Sequence, residues 1–151
     1  MKKQKVLLLT LAVFCCGYLF AQSNNNENFE GAQPTLKSYK VLYFIDQSDD
    51  KKIKGTIRNI NNALDDPRLK GKLQVEFVAF GDGVEMFKTA NHYDTLLMNL
   101  KNRGVILAQC LNTMKERKIT KDELQPFISF VPSGNGEIII RQQEGWAVIH
   151  P

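Results

Sequence analysis

Apolar runs alternate along this chain with amphipathic stretches, and turn residues separate them. Val41-Leu42-Tyr43-Phe44-Ile45 is continuously apolar, β-branched and aromatic, the pattern of a strand buried on both faces. Ser48, Asp49 and Asp50 then offer N-caps. Ile53, Ile57, Ile60 and Leu64 recur at helical spacing until Asp66-Pro67 ends the segment. Leu73 to Phe80 predicts a second strand. Tyr93, Leu96, Leu97 and Leu100 predict a second helix, closed by Lys101, Arg103 and Gly104.

Val105 to Gln109 predicts a third strand running straight into Cys110, with a short helical stretch at Leu111 to Lys118. Thr120 and Glu123 have capping-box spacing. Ile128 to Val131 predicts a fourth strand, Pro132 to Gly136 a tight loop, and Glu137 to Glu144 a helix ended by Gly145. Trp146 to Ile149 closes the chain as a last strand. The expected fold class is α/β: one three-layer domain whose mostly parallel sheet of about five strands is covered by helices on both faces.

Open sheets of this kind bind ligands outside the carboxyl ends of their strands. Those ends are Asp46-Gln47-Ser48, Gly81-Asp82-Gly83, Cys110 to Asn112 and Ser133-Gly134-Asn135. Cys110 is the one strong nucleophile in that set. A strand end followed by a helix can lower a thiol pKa through first-turn N–H groups. The competing reading is a small buried hydrophobe, the usual state of free cysteine.

Composition changes the picture through the first segment. The 151 residues carry a formal charge of +4, three cysteines and 43% hydrophobic residues, a globular composition for one domain. Lys2, Lys3 and Lys5 precede an apolar run from Val6 to Phe14 and on to Ala21. Basic start, short apolar stretch and small residue are the parts of a secretory signal peptide, expected at residues 1–21. That run is too short to span a bilayer, so no membrane span is expected after its removal. Export follows, with the periplasm ranked ahead of secretion or of lipid anchoring at Cys15 or Cys16. Removal leaves 17 basic against 16 acidic side chains and Cys110 as the sole cysteine. An Asn-rich, flexible leader is expected over residues 22–38 and the folded domain over 39–151.

A near-neutral mature domain gives no reason to expect nucleic acid. His92 and His150 stand apart from other ligand types, so no metal is expected. Gly81-Asp82-Gly83 is too short for a dinucleotide fingerprint and reads as a tight turn, and no cofactor is expected. Gly134-Asn135-Gly136 before a helix is a weak anion-binding signal. The clusters around Lys51 and Lys115 read as solvated helix faces, and Trp146 as a packing residue in the core or at a subunit interface.

Several pieces occur together in a recognisable order. They are the first strand into Asp46, Asn59 and Asn62 on its helix, the Gly81-Asp82-Gly83 turn, and Arg103-Gly104-Val105. Cys110 with Asn112-Thr113, Val131-Pro132-Ser133-Gly134, Gln143-Glu144-Gly145-Trp146 and Pro151 follow. Over about three quarters of its length the chain resembles the DsrE family, in its small YchN-like branch. The resemblance implies a flavodoxin-like fold and a homo-oligomer, trimer or hexamer. In sulfur-relay members it implies a cysteine that carries sulfur as a persulfide between a donor and an acceptor protein or small thiol. Carried over, that cysteine is Cys110, with Asp46, Gly81, Asp82, Gly83, Asn112, Ser133 and Gly134 expected around its pocket. Sulfur relays belong to the reducing cytoplasm, and export would expose the thiol to oxidation. A non-catalytic, oligomeric small-ligand-binding module of the same fold therefore stands as the alternative.

Overall fold

The architecture comes from a computed structural model, which describes residues 29–151. The expected signal peptide and residues 22–28 of the leader lie outside the described residues. Residues 29–33 carry no helix or strand and fall in a unit separate from residues 34–151. Within the larger unit the chain is tied down before its first strand, because the N–H groups of Thr35 and Leu36 donate to the Tyr39 hydroxyl at 2.7 and 3.0 Å.

Five strands follow: β1 (Tyr39–Ile45), β2 (Leu73–Ala79), β3 (Ile106–Cys110), β4 (Ser129–Val131) and β5 (Ala147–Ile149). All pair in parallel, in the order β4-β3-β2-β1-β5. The main helices are α1 (Asp50–Asp65), α2 (Asp94–Asn102), α3 (Leu111–Arg117) and α4 (Gly134–Gln143). Asp49 starts α1 by accepting the Lys52 N–H at 2.9 Å.

From β1 to β4 the chain steps across the sheet in one direction, then returns past β1 to lay down β5. Crossovers between parallel strands are right-handed, so such a reversal moves the connecting helix to the opposite face. The two cores show this division. Val41, Tyr43 and Ile45 of β1, with Val75 and Phe77 of β2, pack with Ile53 and Ile57 of α1, Leu97 and Leu100 of α2, and Met114 of α3. The alternate positions Leu42, Val78, Ala108 and Trp146 form a smaller core with Ile138 of α4. Strand residues are therefore buried on both faces, which explains their unbroken apolar runs.

Two segments differ from the sequence-based expectation. Gly81–Phe87, expected only to open with a turn, is a 3-10 helix that buries Val84, Met86 and Phe87. Helix α4 begins at Gly134, three residues before Glu137, so Gly134-Asn135-Gly136 is its first turn rather than a loop. Ser133 makes this possible: its Oγ accepts the Gly136 N–H at 3.2 Å, a cap worth about 1 kcal/mol that offsets the low helix propensity of two glycines.

An ion pair fixes α4 from below. Glu76 of β2, only 1% exposed, receives the Nε of Arg141 at 2.7 Å. The same nitrogen lies 2.9 Å from Glu137. The Arg141 guanidinium also lies over the Trp146 ring, 4.5 Å from its centroid. Trp146 is buried, as expected of a packing residue.

Candidate active site at the strand ends

Cys110 is the last residue of β3 and the N-cap position of α3. Its neighbour β4 ends at Val131 and leads through Pro132 and Ser133 into α4. The Asn112 N–H reaches the Pro132 carbonyl at 3.3 Å and ties the two strand ends together. Two helix starts thus converge on one sulfur. Burial alone would raise the Cys110 thiol pKa. The backbone N–H and hydroxyl of Thr113 and the N–H groups of Gly134 and Asn112 favour the thiolate electrostatically, and the net effect holds the thiol below its ordinary value.

The buried Thr113 hydroxyl has a second task. It accepts the Gly81 N–H at 3.0 Å and so joins the β2 end to the cysteine helix. Gly81 has φ of +54°, a left-handed conformation that suits glycine. Gly83 is required for a different reason: a Cβ there would lie 2.2 Å from the Ile45 carbonyl oxygen. The glycine pair is therefore a close-packed strand end, as its brevity suggested.

A cavity of about 250 Å³ opens over the sulfur. It is lined by Cys110, Gly81, Asn112, Ser133 and Gly134, five of the expected residues, and also by Phe80, Thr113, Glu116 and Asn135. Thr113 and Glu116 follow Cys110 by three and six residues, one helical face from a strand-end cap, and that spacing is the signal that could have found them.

Asp46, Asp82 and Gly83 stand outside the lining. Asp46 instead accepts from His150 Nε2 at 3.0 Å, if that nitrogen carries the proton, and the imidazole stacks on Phe44 at 4.3 Å. Asp82 pairs with Arg117 Nη1 at 2.6 Å and pins the end of α3. A larger groove of about 550 Å³ lies between α2 and residues 125–127, lined by Met98, Asn99 and Phe127 among others, with no cysteine among its described lining residues. Among the described residues no group of three or more His, Cys, Asp or Glu could hold a metal ion.

The profile of the DsrE/DsrF-like family matches residues 39–151. The chain belongs to the DsrE/DsrF-like family. Among solved structures it is similar to MTH1491, a protein of unknown function from Methanobacterium thermoautotrophicum, at 32% identity and a TM-score of 0.71. That match covers 76% of this chain and all of the other. A second likeness is to BT1422, a conserved protein of unknown function from Bacteroides thetaiotaomicron. It has a TM-score of 0.59 and covers 74% of this chain and 94% of that one; at 11% identity it speaks for the fold alone. No curated protein matches the chain. The five-stranded parallel sheet matches the fold of these structural neighbours. No helix among the described residues is long and apolar enough to cross a membrane.

Proposed function

We propose that this protein is a sulfur carrier that holds sulfane sulfur as a persulfide on Cys110. One observation carries the reading: the first turns of α3 and α4 line one cavity together with Cys110, where their backbone N–H groups hold the thiol below its ordinary value. Donors so arranged favour the thiolate, the form that attacks sulfur. In the forward step Cys110–S⁻ attacks the outer sulfur of a donor persulfide. A new S–S bond forms on Cys110, the donor's S–S bond breaks, and the donor thiolate departs with the electron pair. An acceptor thiolate then removes the outer sulfur by the same exchange and regenerates Cys110. The same partial positive charge of the helix starts also suits the persulfide anion.

Two further elements belong to this proposal. Ile139 and Ile140 of α4 are 62% and 54% exposed beside the thinly covered sheet face, and they support a homo-oligomer built through that face. The lysines and apolar run before Ala21 support export.

The second reading, a non-catalytic binding module, is favoured by the burial of Cys110, which is 4% exposed. Alkylation of the folded protein across a pH series separates the two. The carrier reading expects labelling whose midpoint lies below that of a free thiol. Slow labelling at every pH would leave the binding module.

A further inference from the structure

The Cys110 cavity is asymmetric in charge. Among the described residues, Glu116 of α3 is its one charged lining residue. The adjacent guanidinium of Arg117 pairs with Asp82 at 2.6 Å, and no lysine or arginine among the described residues lines the cavity. Ser133, Gly134 and Asn135 supply a different wall, the cap and first turn of the ten-residue helix α4, whose amide end bears partial positive charge. Asn112 and Asn135 add neutral amide side chains. A volume of about 250 Å³ equals the liquid share of roughly eight water molecules. That is room for a small amino acid.

We propose that the cavity selects a small hydropersulfide of amino-acid type, with Glu116 as the specificity-determining residue that receives the donor's ammonium group. This deepens the carrier reading and rests on it. The donor carboxylate faces the start of α4, and its sulfane sulfur faces Cys110. The thiolate attacks the outer sulfur of R–S–SH. Cys110–S–SH forms, the donor's S–S bond breaks, and R–S⁻ leaves with its electron pair and takes a proton from water. Sulfane sulfur passes from one thiol to another, so no outside oxidant or reductant is consumed. An anionic donor such as thiosulfate instead brings negative charge toward the Glu116 carboxylate and is disfavoured.

Cysteine hydropersulfide and its N-acetyl derivative deliver the same sulfur, but only the first carries an ammonium group. Persulfide formation on the full protein is followed by mass spectrometry with each donor, and each rate is divided by that of a free thiol under the same conditions. The normalised rate is expected to favour the free-amine donor about two- to fivefold, the scale of one exposed ion pair. Glu116→Gln is expected to bring the ratio to about one, while thiosulfate becomes a relatively better donor. Equal normalised rates in the native protein, or a preference that survives Glu116→Gln, would overturn the proposal alone. Absence of any adduct with all three donors would overturn the carrier reading and this proposal with it.

Discussion

Gly134 sits so close to Phe80 that a Cβ at position 134 would lie 2.6 Å from Phe80 Cδ1. This contact seats the first turn of α4 against the end of β2, where Gly134 lines the same cavity as Cys110 and its N–H helps to lower the thiol pKa. Gly134→Ala must push α4 or the Phe80 ring aside, at a cost of about 1–3 kcal/mol. Losing that donor is expected to raise the Cys110 thiol pKa. Alkylation at a series of pH values measures it, and an unchanged midpoint in a folded variant would show that α4 does not act on the sulfur.

Thr113→Val removes a hydroxyl that serves Cys110 and Gly81 at once. The part-buried Gly81 N–H is then left without its acceptor, a loss of about 1 kcal/mol. The thiol pKa is expected to rise in the same variant. Urea denaturation and alkylation on one preparation test both halves, and a change in stability alone would confine Thr113 to a structural role.

The glycine pair after β2 makes a sharper steric demand. Gly83→Ala sets a methyl group against the Ile45 carbonyl, where the backbone rather than a flexible side chain must move. A loss of about 3 kcal/mol is expected. Thermal unfolding checks it, and a variant as stable as the native protein would mean that the strand end yields freely.

Burial pushes the Glu76 carboxyl above its ordinary value of 4.5, and repulsion from Glu137 adds to this against the attraction of Arg141. A carboxyl with a raised folded-state pKa favours folding in its protonated form. Its contribution is present below 4.5 and is lost as pH rises through the folded-state value. Native stability is therefore expected to carry a downward slope in that window that Glu76→Gln lacks. Parallel stability curves for the two proteins would contradict the burial assigned to Glu76.

Much of this organisation was legible in the sequence. Continuous apolar runs mark Val41–Ile45 and Ile106–Cys110 as strands because a parallel sheet covered on both faces removes the usual alternation. That pattern also put Cys110, Gly81 and Ser133 at one end of the sheet. The rest depended on contacts between distant residues. Asp46 was grouped with the cavity from its place after β1, yet β5 lies beside β1 and offers His150 as a closer partner. Gly134-Asn135-Gly136 read as a loop because helix propensity argues against paired glycines, whereas the Ser133 cap and the Phe80 contact favour a helical turn there. Glu116 resembled any solvated helix carboxylate until the fold brought α3 beside α4.

The sulfur itself gives the most direct test. The full protein is incubated with a hydropersulfide donor, freed of small molecules, and its intact mass recorded beside that of Cys110→Ala. The carrier reading expects the native protein to gain the mass of one sulfur atom, to lose it on addition of an acceptor thiol, and the variant to gain nothing. A native protein that takes up no sulfur, or a variant that takes it up equally, would contradict the role given to Cys110.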